Sequence, residues 1–167
     1  YEFRIVGLNG TILKTTDSGG NWNSQSNVTN NNINSIVCPT YNIGFAVGDF
    51  GTILKTTDGG NSWNIQASGT DKHLHSIFSI EGVGAIAVGE LGTIIQTTDG
   101  GNNWNPISSG TTNNLDGVVF TDGITGTVVG ENGTILRTTN GGNSWDAQLS
   151  GTINNLREVK FIDFNKG

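Results

Sequence analysis

The sequence predicts an all-β protein built as a repeat array, and three observations carry that expectation. The segment Gly-Thr-Ile-Leu-Lys-Thr-Thr-Asp begins at Gly10 and at Gly51, with close copies at Gly92 and Gly133, each 41 residues after the last. Other columns keep the same register without insertion: Gly7, Gly48, Gly89 and Gly130; Ile33, Leu74, Leu115 and Leu156; Trp22, Trp63, Trp104 and Trp145. No stretch shows a 3.6-residue apolar period bounded by caps, so essentially no helix is expected. A repeat this strict describes one supersecondary unit stacked on copies of itself.

Each unit divides into four short strands. In the second unit, Ile-Asn-Ser-Ile-Val-Cys over 33–38 is the first, and Gly-Phe-Ala-Val-Gly over 44–48 is a compact second. The third, Thr-Ile-Leu-Lys-Thr over 52–56, is rich in β-branched residues, and Trp-Asn-Ile-Gln-Ala over 63–67 is the fourth. Between them lie clusters of Gly, Asp, Asn, Ser and Thr that favour turns. Adjacent apolar pairs such as Ile12-Leu13, Ile53-Leu54 and Ile94-Ile95 are expected where both faces of a sheet are covered. Four such strands per repeat match a propeller blade. The expected architecture is therefore a β-propeller of four-stranded antiparallel blades, four repeats of 41 residues, forming a single repeat array over 1–167.

The phase of the repeat makes Glu2–Gly7 a second strand and Leu156–Asp163 a first strand. Each lacks a neighbour in its own unit. Strands 2–7 and 156–163 are thus expected to complete a blade in cis or between chains. Small residues between blades favour joining between chains over closure of a four-blade ring.

The turn after each third strand carries the sharpest motif, an Asp-box of the form Ser/Thr-x-Asp-x-Gly-x-x-Trp. Its members are Thr15, Asp17, Gly19 and Trp22; Thr56, Asp58, Gly60 and Trp63; Thr97, Asp99, Gly101 and Trp104; and Thr138, Asn140, Gly142 and Trp145. A short Asp or Asn side chain accepts backbone N–H groups of its own turn. The glycines supply positive φ, and the Trp is expected to cover the hairpin with its ring. These are structural positions, spread over separate turns rather than converging on a catalytic or metal centre.

Composition removes several functional classes. Charged residues make up 13% of the chain and the net charge is −6, without the basic footprint of a nucleic-acid binder. No apolar run suits membrane insertion. The chain opens at Tyr1 without a Met, which suggests a mature secreted form or an excised piece, and an extracellular or periplasmic location is expected. Cys38 is the single cysteine and is expected to act as a small buried hydrophobe. No cofactor is expected.

Columns that differ between units are free to carry function. The clearest lies in the first strand: Asn34, His75, Asp116 and Arg157. The first strand lines the central channel of a propeller, so these four are the candidate binding residues, able to hold a polar ligand or a partner loop. Two other columns, Leu8/Asp49/Glu90/Glu131 and Lys14/Lys55/Gln96/Arg137, are expected to be surface charges that pair weakly. His73-x-His75 could offer two metal ligands, but no third is fixed, so no metal is assigned. Asn9, Asn27 and Asn132 stand in glycosylation sequons, two of which belong to the turn motif itself.

The whole chain resembles the Asp-box propellers of the photosystem II assembly factor type. The resemblance rests on Ala46-Val-Gly-Asp-Phe-Gly-Thr-Ile-Leu-Lys-Thr-Thr-Asp-Gly-Gly60 and its copies, and on Leu156-Arg-Glu-Val-Lys-Phe-Ile-Asp163, which looks like that family's innermost strand. It implies Arg157 as the residue best suited to partner recognition. Similar repeats occur in sialidases and xyloglucan-degrading enzymes, so activity needs its own argument. The arginines Arg4, Arg137 and Arg157 sit in different strand types and form no carboxylate-gripping triad. Acidic residues at equivalent positions are spread around the array rather than paired as a glycosidase requires. The expected function is a non-catalytic scaffold that binds a protein partner or copies of itself. A lectin-like propeller binding glycan is the first alternative, and a fragment of a glycoside hydrolase or sialidase-like propeller is the second.

Overall fold

The computed structural model describes residues 1–25, 28–80 and 82–161. Fifteen strands form four antiparallel sheets among these residues. The first sheet holds β1 (Phe3–Val6), β2 (Ile12–Thr15) and β3 (Asn23–Ser24). The second holds β4 (Ile33–Val37), β5 (Gly44–Gly48), β6 (Ile53–Thr56) and β7 (Asn64–Gln66). The third holds β8 (Leu74–Ile80), β9 (Gly84–Gly89), β10 (Ile94–Thr97) and β11 (Asn105–Ile107). The fourth holds β12 (Leu115–Phe120), β13 (Gly126–Gly130), β14 (Ile135–Thr138) and β15 (Asp146–Gln148). Each is a meander in chain order, as a propeller blade requires. The helical content is confined to three single 3₁₀ turns, at Asp49–Gly51, Glu90–Gly92 and Glu131–Gly133.

The blades stack face to face, and the core is the set of interfaces between them. The second strand of each complete blade alternates its side chains between two neighbours. Phe45 and Val47 face the third blade with Ile77, Ala85, Ala87 and Trp104, while Ala46 faces the first blade with Ile12, Leu54 and Trp63. Ile86 and Val88 in turn pack with Val118, Val128, Leu136 and Trp145. Large residues on one blade thus meet small ones on the next, which keeps neighbouring sheets close.

Within each complete blade, glycines let the second strand approach the start of the first closely at Gly48, Gly89 and Gly130. A Cβ on Gly48 would sit 1.9 Å from the Asn32 carbonyl oxygen, and Gly89 and Gly130 meet the His73 and Asn114 carbonyls in the same way. At the equivalent Gly7 nothing lies within 4 Å. The first blade lacks the strand that would fill that space, and β1 forms its ladder with β2.

The expected strand at 156–163 differs in the structure. Residues 156–161 carry no ladder, and 162 and 163 lie outside the described residues. The reason is pairing: β4 is held by Gly44–Gly48, whereas no second strand lies beside 156–161 among the described residues. The segment still keeps its place in the stack. Leu156 N–H donates to the Gly130 carbonyl at 2.9 Å, as Ile33 N–H donates to Gly7.

The Trp column also differs in detail from a ring that covers its own hairpin alone. Each ring fills the gap to the preceding blade, so Trp63, Trp104 and Trp145 are buried. Trp22, with no blade before it among the described residues, is 39% exposed against 2% for Trp63. Cys38 is exposed rather than buried, because it follows the end of β4, and its Sγ lies 3.6 Å from Arg4 Nη1.

Candidate functional site

The Asp-boxes are closed hydrogen-bonded turns. In the second unit Asp58 Oδ1 accepts the Ser62 N–H at 2.9 Å and the Thr56 hydroxyl at 2.9 Å, while Oδ2 accepts the Ser62 hydroxyl at 2.6 Å. The buried Thr56 hydroxyl accepts the Gly60 N–H at 2.8 Å. The same threonine contact recurs at Thr15, Thr97 and Thr138. Asn140 keeps the turn, accepting the Ser144 N–H at 3.1 Å and donating Nδ2 to the Ser144 hydroxyl at 2.9 Å. The Ser62 hydroxyl and N–H, with Thr56, hold the Asp58 carboxyl down at about 2, and Asn103, helped by Thr97, does the same for Asp99. These groups serve the turn and point to no substrate.

The first-strand column converges. Asn34, His75, Asp116 and Arg157 line one cleft of about 550 Å³, formed where β4, β8, β12 and the segment after Leu156 lie side by side. A bulge explains how they reach it. The ladder of β4 with β5 skips between Ile33 and Ser35, β8 with β9 between Leu74 and Ser76, and β12 with β13 between Leu115 and Gly117. The skipped residues are Asn34, His75 and Asp116. An unpaired extra residue re-aims its side chain away from the pleat, here toward the cleft.

The cleft side chains also tie one blade to the next. Asn34 Nδ2 donates to the Leu74 carbonyl at 2.9 Å and to Asp49 Oδ1 at 3.1 Å. His75 Nδ1 lies 3.1 Å from the Leu115 carbonyl and 3.1 Å from Asp116 Oδ1, so Nδ1 carries the proton and Nε2 is left for another partner. Arg157 is exposed and forms no ion pair among the described residues, while its neighbours Glu158 and Lys160 pair at 2.8 Å.

Asp49, Glu90, Lys14 and Gln96, from the two charged columns, behave differently from weakly paired surface charges. Asp49 accepts from Asn32 Nδ2 at 2.8 Å and from His73 Nδ1 at 2.8 Å, and the Glu90 carboxylate accepts the His73 N–H at 3.1 Å. The hydrogen bond that His73 donates to Asp49 raises the His73 pKa above its ordinary value. The third-strand column works across blade interfaces: Lys14 donates to the Gly59 carbonyl at 2.9 Å and Gln96 to the Gly141 carbonyl at 2.7 Å. His73 and His75 each answer a separate carboxylate, and no group of three metal-ligating side chains forms among the described residues. The sequon at Asn27 lies outside the described residues, while Asn9 and Asn132 occupy turns at positive φ.

That column of turns holds a feature the sequence reading missed. Asn9, Phe50, Leu91 and Asn132 occupy one position, all near φ +53°. Asn visits this region at little cost, whereas Phe and Leu do not. The identity change at an otherwise turn-favouring column was the available signal.

A family model described as photosynthesis system II assembly factor YCF48 matches residues 29–163. No match was found among curated proteins. Among solved structures, YCF48 bound to D1 peptide is similar with a TM-score of 0.76 and 23% identity, over 96% of this chain and 54% of that one. YCF48 from Cyanidioschyzon merolae matches with a TM-score of 0.75 and 19% identity, over 96% and 60%. A GH74 enzyme of Niastella koreensis matches with a TM-score of 0.74 and 20% identity, over 90% of this chain and 28% of the enzyme. These likenesses establish the propeller fold. The chain spans little more than half the length of the two YCF48 structures. The family match corrects the expected secreted, extracellular or periplasmic location: its members are assembly factors of a photosynthetic complex, not proteins of the extracellular space.

Proposed function

The chain belongs to the photosynthesis system II assembly factor YCF48 family, and on that premise we propose that it is a non-catalytic scaffold holding an extended segment of a partner protein in the cleft of Asn34, His75, Asp116 and Arg157. The convergence of four unlike polar side chains, three of them on bulges, carries the reading. Arg157 is the anchor, because its guanidinium has no ion-pair partner among the described residues and can grip a carboxylate or peptide carbonyls in fork geometry. A similar propeller has been solved with a D1 peptide bound, which supports a peptide as the ligand class.

One observation weighs against the lectin reading. A lectin needs exposed aromatic platforms, and three of the four repeated Trp rings are buried in blade interfaces. Titration of overlapping D1 peptides by fluorescence anisotropy tests the proposal. At least one peptide should bind, and Arg157→Ala should weaken it tenfold or more with an unchanged thermal midpoint. Binding indifferent to Arg157→Ala, or no binding at all, rejects it.

Self-assembly is a second part of the reading, and a specific observation favours it. Among the described residues β1 pairs with β2 alone, nothing lies within 4 Å of a Cβ at Gly7 and the Trp22 ring is 39% exposed, so this edge has room for a first strand. A segment equivalent to Leu156–Phe161 from another copy has the register to supply it.

A further inference from the structure

Phe50 and Leu91 are large apolar side chains, 64% and 60% exposed, and both sit in the left-handed region at φ 54° and 52°. Neither burial nor backbone preference accounts for them. Units one and four place Asn at the same position, the residue that enters this conformation easily. The turns are held firmly by their neighbours. Asn114 Oδ1 accepts the Leu91 N–H at 3.0 Å, as Asn32 and Asn155 do for Asn9 and Asn132. At the fourth such position His73 replaces Asn, and its ring lies against Phe50 with centroids 4.7 Å apart. Strain that is over-determined by its surroundings gathers at binding sites.

The location fits such a site. Asp49, beside Phe50, bonds the cleft residue Asn34, and His73 stands two residues from the cleft residue His75. Leu91 also walls a neighbouring groove of about 580 Å³ with Ile107. The charge around the two side chains is acidic: Asp49, Asp71, Glu90 and Asp116 stand against Lys72 and the two histidines, with Lys72 already paired to Asp71. Arg157 and Lys160 line the same cleft from the segment after Leu156, with Lys160 already paired to Glu158.

We propose that Phe50 and Leu91 form an apolar rim of the binding cleft, and that it docks an extended partner segment whose apolar side chains are flanked by Lys or Arg. The proposal rests on the cleft reading and names the partner chemistry on its acidic side. The rim supplies apolar contact at two knobs held rigid before binding, and the carboxylates choose basic neighbours.

Panning a phage library of random 12-residue peptides on the full chain tests this, with the Phe50→Asn/Leu91→Asn variant and Arg157→Ala as parallel targets. The Asn variant copies the residues of units one and four, so it folds with an unchanged or raised thermal midpoint. Peptides combining Leu, Ile or Phe with Lys or Arg should be enriched on the parent, and their binding should fall at least tenfold on the Asn variant. Enrichment that depends on Arg157 but not on Phe50 and Leu91 overturns the rim and leaves the cleft standing, as does selection of acidic sequences. Failure to enrich any peptide removes the cleft reading and the rim with it.

Discussion

Trp63 and Trp22 occupy the same column and differ in surroundings, which separates the role of the residue from that of its neighbours. Trp63→Ala empties a filled blade interface and should cost about 3–5 kcal/mol. Trp22→Ala removes a ring that is already 39% exposed and should cost less than half as much, read as the shift in urea midpoint. The carboxyl of the box makes a different kind of contribution. Asp58 and Asp99 fall from an ordinary 3.8 to about 2 through bonds that the charged form accepts. A depressed folded pKa means that this stabilisation is present above the unfolded value and is lost as pH falls toward about 2. Asn140 has no such dependence yet keeps the turn. The double variant Asp58→Asn/Asp99→Asn should therefore show a flatter fall in urea midpoint from about pH 4 to pH 2 than the parent, with only a mild loss near neutrality. At the strained turns the change runs the other way: Phe50→Asn should raise stability by about 1 kcal/mol, through relief of the left-handed backbone at a bulky residue.

At the scale of the element, the tight approach of the first strand to the second within a blade is set by single glycines. Gly48→Ala would drive a methyl into the Asn32 carbonyl and should cost about 3 kcal/mol or more, whereas Gly7→Ala meets open space and should leave the thermal midpoint of the chain unchanged. Comparing the two melts separates the contact between first and second strands from any general intolerance of Ala, since Gly48 itself has an ordinary extended φ of −166°. The second strand, Gly44–Gly48, was legible in the sequence to the residue, because glycines bracket a compact apolar run and the repeat shows it again at 84–89 and 126–130. The bulges at Asn34, His75 and Asp116 were not. A bulge is an excess of one residue over the partner strand, visible only once Ile33 is seen against Gly48 and Ser35 against Val47. The column itself was legible because its chemistry changes from unit to unit while its apolar neighbour does not. The roles of Lys14 and Gln96 were hidden for a related reason: their acceptors are turn carbonyls 45 residues ahead, which side-chain pattern does not reveal.

At the largest scale, the proposed self-assembly turns on the edge of β1, which pairs only with β2 among the described residues. Each later blade is completed by a first strand that covers the second-strand glycine and buries the face beside it, while β1 presents an unpaired edge with Phe3, Ile5 and Trp22 exposed around it. Exposed edges with apolar flanks recruit strands. Leu156–Phe161 occupies the place of a first strand in the stack without a ladder among the described residues, held to Gly130 by the same N–H contact that binds Ile33 to Gly7. Placing that segment from one copy on β1 of another satisfies both ends with the repeat phase unbroken, and the contact is head to tail, so it closes into a ring or extends into a filament according to the angle between blades. Concentration-dependent growth in light scattering is the expected outcome for the purified chain. Gly7→Ala gives the sharper result, because the alanine is harmless in the isolated chain but would meet the carbonyl of an arriving strand as Gly48 would meet Asn32. The variant should therefore remain monomeric at concentrations where the parent associates, with equal melting behaviour when both are dilute. A parent that stays monomeric throughout, or a Gly7→Ala variant that associates equally well, rules out edge pairing as the mode of assembly.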